Sequence, residues 1–141
     1  MFNFYLLLMK KYLFLFIIIV FGAYTLGVDA QESKCVENYA FKTFKAKNES
    51  VNIDDVVIEW DFADNEGVSL IIEIQTIDDC WNELEGKNRF ALERHDLDVV
   101  KSSKGSLKIE HLGINAKCFK WRAVITRNSC EEHTSWQFET F

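Results

Sequence analysis

From residue 56 onward the chain alternates. Val56, Ile58, Trp60 and Phe62 are apolar, and Val57, Glu59 and Asp61 between them are mostly polar. That period of two is the signature of a half-buried strand. Asp64-Asn65-Glu66-Gly67 supplies a turn. Val68, Leu70, Ile72 and Ile74 then alternate with Ser69, Ile71, Glu73 and Gln75, which makes a hairpin. A second hairpin is read near the C-terminus. Phe119, Trp121, Ala123 and Ile125 alternate with Lys120, Arg122, Val124 and Thr126, the polar stretch 127–134 follows, and Trp136, Phe138 and Thr140 alternate after it. Weaker alternation marks strands at Tyr39, Phe41 and Thr43, at Phe90, Leu92 and Arg94, and at Leu107, Ile109 and His111. About one turn of helix fits 79–84. The loop 101–105, with Ser102, Ser103 and Gly105 and no apolar residue, is expected to be mobile. Seven short strands separated by turns point to an all-β fold, a seven-stranded antiparallel β-sandwich. On the apolar phases, Trp60, Ile72, Phe119 and Trp121 are expected in its core.

The N-terminus obeys a different pattern. Lys10 and Lys11 precede an apolar run, 12–22, and Val28-Asp29-Ala30 stands just before the polar Gln31-Glu32-Ser33. Basic, then apolar, then small is the order of a secretory signal peptide, and the run is short for a bilayer span. Cleavage is expected after Ala30, with translation starting at Met1 or at Met9. An uncleaved membrane anchor is the competing reading. No small-residue box of a lipoprotein precedes Cys35. Residues 31–141 then form one domain of common size, secreted or held in the periplasm or cell envelope. The chain's net charge of −6 becomes −7 when Lys10, Lys11 and Asp29 are removed. Such a surface argues against nucleic acid and anionic lipid, which need a basic face. All four cysteines, Cys35, Cys80, Cys118 and Cys130, follow residue 30. An even count in a small exported domain reads as two disulfides, with three connectivities open.

The strand pattern resembles the fibronectin type III family over nearly the whole of 31–141. Val56-Val57-Ile58-Glu59-Trp60 is similar to that family's second strand with its buried Trp. Leu70-Ile71-Ile72-Glu73-Ile74 is similar to its third strand, and Leu107-Lys108-Ile109-Glu110-His111-Leu112 to its fifth, which runs into a loop leucine. Phe119-Lys120-Trp121-Arg122-Ala123-Val124-Ile125 is similar to its sixth, and Trp136-Gln137-Phe138-Glu139-Thr140 to its last. Three features depart from the family. Phe119 replaces the tyrosine that opens the sixth strand, no proline follows the second strand, and the cysteines are additional. An immunoglobulin-like relative with the same strand order is the alternative. The strand order that this resemblance implies selects one disulfide pairing. It puts Cys35 with Cys130 at one pole and Cys80 with Cys118 at the other, because cysteines at opposite poles cannot reach bonding distance.

A fold does not supply a function; a site must. His95, His111 and His133 fall on different expected elements. No HExxH, G-x-S-x-G or glycine-rich phosphate loop occurs, and oxidised cysteines leave no thiol nucleophile. No catalysis and no cofactor are therefore expected, and no metal site. The acidic pairs Asp54-Asp55, Asp78-Asp79 and Glu131-Glu132 could bind calcium with loop carbonyls, but more often such pairs are solvated surface. Trp81, beside Cys80 in a polar stretch, either packs on the disulfide or stands exposed as a contact for sugar or peptide. Trp81, Glu131, Glu132 and His133 are the candidate partner-contact residues. Two functions fit. One is a module binding a protein or carbohydrate at the envelope or outside the cell. The other is a secreted inhibitor or effector that presses a loop onto an enzyme. An exposed aromatic loop tip favours the second, and a flat polar surface favours a structural or adhesive role.

Overall fold

Two antiparallel sheets make up the computed structural model, which describes residues 34–63, 66–98 and 102–141. The expected signal peptide, residues 1–30, lies outside the described residues. The elements are β1 (Tyr39–Ala46), β2 (Asp55–Phe62), β3 (Val68–Ile77), β4 (Glu93–Asp98), β5 (Lys104–Ile109), the single helical turn α1 (His111–Ile114), β6 (Cys118–Arg127), β7 (Cys130–His133) and β8 (Gln137–Thr140). One sheet has the order β1-β2-β5. The other has the order β4-β3-β6-β7, with β8 also paired to β6.

The alternation read in the sequence becomes two facing apolar layers. Val56, Ile58, Trp60 and Phe62 of β2 meet Val68, Leu70, Ile72 and Ile74 of β3 and Phe119, Trp121, Ala123 and Ile125 of β6 in one core. Trp60 is 8% exposed and Trp121 3%. The layers touch where the ring of Phe41 lies 5.8 Å from that of Trp121. Phe119, which lacks the hydroxyl a tyrosine would bring, stacks instead on Phe141 at 5.1 Å.

Three expectations change. The expected mobile loop 101–105 is shorter, because Lys104 and Gly105 belong to β5 and pair with Asp61 and Trp60. Gly105 is required there. A Cβ on it would lie 2.3 Å from Cζ2 of Trp60, so the indole packs against bare backbone. The polar stretch 127–134 is not a loop but the heart of a tight hairpin. Asn128 and Ser129 both have positive φ, 49° and 67°, as a two-residue primed turn requires. Cys130-Glu131-Glu132-His133 then runs back along β6 as an edge strand, where polar residues are the normal choice. The strand after this turn is broken, which makes eight strands among the described residues where seven were expected.

The break is a β-bulge. Between the pairs Val124–His133 and Trp121–Gln137, β6 moves three residues and the outer strand moves four. One extra residue reverses which face each later side chain meets. Thr134 anchors it: its N–H donates to the Ala123 carbonyl and its hydroxyl accepts from the Ala123 N–H, both at 2.9 Å. A similar slip marks the start of β4. From Ile77 to Ile74, β3 moves three residues while its neighbour moves five, from Asn88 to Glu93. The strand expected at Phe90 and Leu92 therefore begins later, and both side chains are exposed.

Candidate binding surface

Strand directions sort the turns into two ends. β1, β3, β5 and the β7–β8 strand finish at the end that carries 47–54, 78–92, α1 and the C-terminal Phe141. The other end carries Cys35 and the turns at Gly67, Ser102-Ser103 and Asn128-Ser129. The disulfides are Cys80–Cys118 at the first end and Cys35–Cys130 at the second, with Cα separations of 5.9 and 5.6 Å. This is the pairing that the fibronectin-like strand order implies. Cys130 opens β7 and does not sit in a loop. Two bridges within so small a β-rich domain belong to an oxidising compartment, extracellular or periplasmic.

Trp81 stands at the first end and is 96% exposed. It does not pack on the neighbouring disulfide. Its position is built with care. A 3₁₀ turn runs from Cys80 to Glu85 and is capped by Asp79, whose Oδ1 accepts from the Trp81 N–H at 3.1 Å. The other carboxylate oxygen of Asp79 accepts from the Asn82 side chain. The base of the excursion is closed by Asp78 N–H to the Lys87 carbonyl and Arg89 N–H to the Thr76 carbonyl, both 2.9 Å. Gly86 lets the chain return close over β3, since a Cβ there would lie 2.3 Å from Cγ2 of Ile77. Lys120 Nζ donates to the Leu84 carbonyl at 3.1 Å, and the bridge to Cys118 adds a covalent tie. Glu83 has φ 45° and ψ −118°, a backbone region that costs a residue with a Cβ roughly 1–3 kcal/mol. The indole is thus fixed at its base and free at its tip.

Other apolar side chains stand bare at the same end: Leu112, 63% exposed, with Ile53 and Leu84. Sequence reasoning singled out neither Ile53 nor Leu84 as exposed. The family likeness reads Leu112 as a loop leucine after the fifth strand; that strand ends at Ile109, earlier than the His111 expected, and Leu112 stands on the turn α1.

A buried carboxylate organises this end from beneath. Asp55 is wholly buried. It accepts from Lys108 Nζ at 2.8 Å, from the Asn48 side chain at 3.1 and 3.2 Å, and from the His111 backbone N–H at 3.2 Å. It thereby joins the loop 47–54, β5 and α1. The Lys108 hydrogen bond holds the Asp55 carboxyl below the usual range against the opposing effect of burial, and Asn48 and His111 assist. The same hydrogen bond raises Lys108.

The remaining candidate contacts lie at the far end of β6, roughly 30 Å from its start at 3.3 Å per residue. Glu132 is spent internally: it accepts from the Cys35 N–H at 2.8 Å and from the Tyr39 hydroxyl at 2.6 Å. Glu131 pairs with His133 at 2.8 Å on the exposed edge. They form no common site with Trp81. The acidic pairs have other occupations as well, Asp78 facing Arg89 at 3.6 Å. Among the described residues no three His, Cys, Asp or Glu side chains gather as a metal site would need.

Between the two ends, the outward face of the larger sheet carries a row of charges and rings. Glu73, buried, lies 2.7 Å from Arg122 and 3.4 Å from Arg94. The Arg122 guanidinium sits 4.7 Å from the Trp136 ring centroid, and Lys120 Nζ 5.6 Å from it. The bulge turns Trp136 outward to make these contacts. On the opposite sheet a half-open groove of about 500 Å³ is lined by Lys42, Glu59, Asp61, Lys104 and Ser106. Lys104 and Asp61 bond each other at 2.8 Å across it. No family model, curated protein or solved structure matches the chain.

Proposed function

We propose that this chain is an exported binding module of fibronectin type III-like build that seats Trp81 in a concave protein partner. The observation that carries the reading is an almost fully exposed indole on a turn held by a disulfide, a side-chain cap and a closed loop base. Exposing a tryptophan to water forfeits about 2–3 kcal/mol of burial, and fixing it in place removes most of the ordering cost of docking. Tryptophans of this kind dominate interface energetics. The shape also speaks for a macromolecular partner. Small ligands occupy concave sites, and Trp81 is a knob that does not border the groove described above. The strand order β1-β2-β5 against β4-β3-β6-β7 supports the family likeness. The two disulfides support export.

The aromatic loop tip also favours the second reading, an inhibitor or effector that presses this loop onto an enzyme. The two differ in what the partner is. Immobilised protein incubated with medium and envelope fractions of the producing cell tests both. Trp81→Ala should cut capture of the specific partner at least about 30-fold, the equivalent of a 2 kcal/mol hot spot, with the melting temperature nearly unchanged. Undiminished capture by Trp81→Ala sinks the reading. Loss of an enzymatic activity of the captured partner on complex formation selects the inhibitor.

A further inference from the structure

We infer that the open seam between β1 and β8 is a binding site for a neutral sugar ring. Trp81 does not line this seam, and the inference does not rest on the reading above. The bulge at Thr134 creates the site. Without the extra residue, the apolar Trp136 and Phe138 would face inward and close the seam. With it, Gln137 stands opposite Trp121 and Glu139 opposite Phe119, so the inner face of β8 is polar. β1 faces it with Phe41 and Thr43, which share the inner phase with Trp60 and Ile58. Between the two strands lies a cleft of about 230 Å³, lined by Phe41, Thr43, Trp121, Thr134, Gln137 and Glu139.

Trp121 supplies the observation that points to a ligand. It is 3% exposed, and its buried indole N–H has no hydrogen-bond partner among the described residues. A buried donor without an acceptor costs stability, and an occupant of the cleft supplies the acceptor. The other groups define that occupant. The Thr134 hydroxyl accepts from the Ala123 N–H at 2.9 Å and keeps its proton to donate. Glu139 takes the Thr43 hydroxyl on one carboxylate oxygen and has the other for a ligand. Gln137 is exposed and brings an amide that both donates and accepts. Donors and acceptors therefore stand together beside an aromatic wall, the Phe41 ring lying 5.8 Å from that of Trp121. Hydroxyl groups, each donating and accepting at once, answer such a set in full, whereas one amide answers it in part. Lys42 also borders the cleft and offsets Glu139, so neither an anion nor a cation meets unopposed charge. The cleft is smaller than the roughly 300–1,000 Å³ of sites that enclose drug-sized molecules, which limits the occupant to a single ring.

Indole NMR tests this on the disulfide-bonded protein. Trp60, Trp81, Trp121 and Trp136 give four side-chain N–H signals. The isotope-labelled protein is titrated with glucose, galactose, mannose, N-acetylglucosamine and fucose at millimolar concentration, and with their methyl glycosides. The expected result is a saturable shift of the Trp121 signal with at least one sugar, while the Trp81 signal stays in place. Gln137→Ala should weaken that binding at least about 10-fold, the equivalent of one hydrogen bond. Gln137 is exposed on an edge strand, so the variant keeps its fold, and thermal melting checks this. An oligosaccharide ending in the same sugar separates the sources. Equal affinity assigns the tip of a glycan, and refusal of the oligosaccharide assigns a free monosaccharide. No shift of the Trp121 signal with any sugar overturns the site and leaves the indole bonded to water alone. A shift that Gln137→Ala leaves undiminished places the sugar elsewhere and overturns it too. Binding of N-acetylalanine amide at the same signal, with no sugar bound, overturns the sugar and assigns a peptide. None of these outcomes bears on Trp81, whose test is partner capture.

Discussion

At one end of the domain stand Cys35–Cys130 and Glu132; at the other stand Cys80–Cys118 and Asp55. Each end is clamped by one disulfide and one internal carboxylate that gathers groups from separate segments. Glu132 holds the backbone of Cys35 and the hydroxyl of Tyr39. Asp55 holds Asn48, Lys108 and the backbone of His111. The surfaces over these clamps are unlike. Among the described residues, the Glu132 end shows polar turn residues, Ser102-Ser103 and Asn128-Ser129. The Asp55 end shows Ile53, Trp81, Leu84 and Leu112 bare. A stabilising frame therefore does not require a greasy surface, and the apolar side chains at the Asp55 end contribute little to the frame that carries them. That separation of stability from surface is why the proposed binding role is placed at the Asp55 end.

The strongest way to break this comparison is to remove the bridges one at a time. The chain-entropy model gives about 4.7 kcal/mol for a loop as long as that of Cys35–Cys130 and about 3.9 kcal/mol for that of Cys80–Cys118, from sequence separations of 95 and 38. Cys35→Ala/Cys130→Ala should thus cost slightly more stability in urea unfolding. Cys80→Ala/Cys118→Ala should cost more binding, because it frees the turn that carries Trp81. Equal loss of binding in both would show that the ends are not separable.

Tryptophans sharpen it next. Trp121→Ala should destabilise by about 3–5 kcal/mol, as large core truncations do. Trp81→Ala should change stability by less than about 0.5 kcal/mol, the usual range for an exposed position. Thermal melts of the two variants decide this, and a large loss at Trp81 would mean that the indole packs in solution.

A finer test makes the same substitution at each end. Ser129→Gly and Glu83→Gly both relieve a positive φ and should each stabilise by about 1 kcal/mol. Ser129→Gly should leave partner capture untouched. Glu83→Gly should weaken capture, because glycine, though unstrained at this φ, widens the conformations open to the turn that presents Trp81. Identical effects on capture would remove the distinction between the ends.

Acid should act on the Asp55 end first. The folded-state carboxyl of Asp55 is held below its unfolded value, near 3.9 for an aspartate, chiefly by the Lys108 hydrogen bond. Its contribution is therefore fully present above that unfolded value and lost as pH falls through the folded one. Hydrogen exchange at His111 and in 47–54 should accelerate as pH drops below about 4. In Asp55→Asn this acid dependence should flatten. Unchanged protection of these amides at low pH would remove Asp55 as their organiser.

Much of the fold was legible because burial writes a period of two into a strand. β2, β3 and β6 were read at the right phase, and Trp60, Ile72, Phe119 and Trp121 lie in the core. The Asn128-Ser129 hairpin was not legible, since polar residues suit an edge strand and a loop equally well. Trp81 was visible as a choice between two states, and composition could not decide it. The choice depends on where the chain returns after Glu85, which Gly86, the Asp79 cap and Lys120 settle together.

The sequence by itself determined that the domain is all-β and that four cysteines suffice for two bridges; alternation and count are local properties of the chain. Only the tertiary structure decided which surface is left bare. Trp136 and Phe138 continue the apolar alternation that marks a core. One extra residue between His133 and Gln137 shifts their register, so Trp136 stacks on Arg122 outside while Glu139 reaches Thr43 at 2.5 Å inside the seam between the sheets. A bulge is a relation between two strands, and neither strand's sequence records it alone. Trp81 and Leu112 are exposed for a related reason. Each sits on a short turn whose orientation is set by bonds to distant residues, Cys80 to Cys118 and the His111 N–H to Asp55.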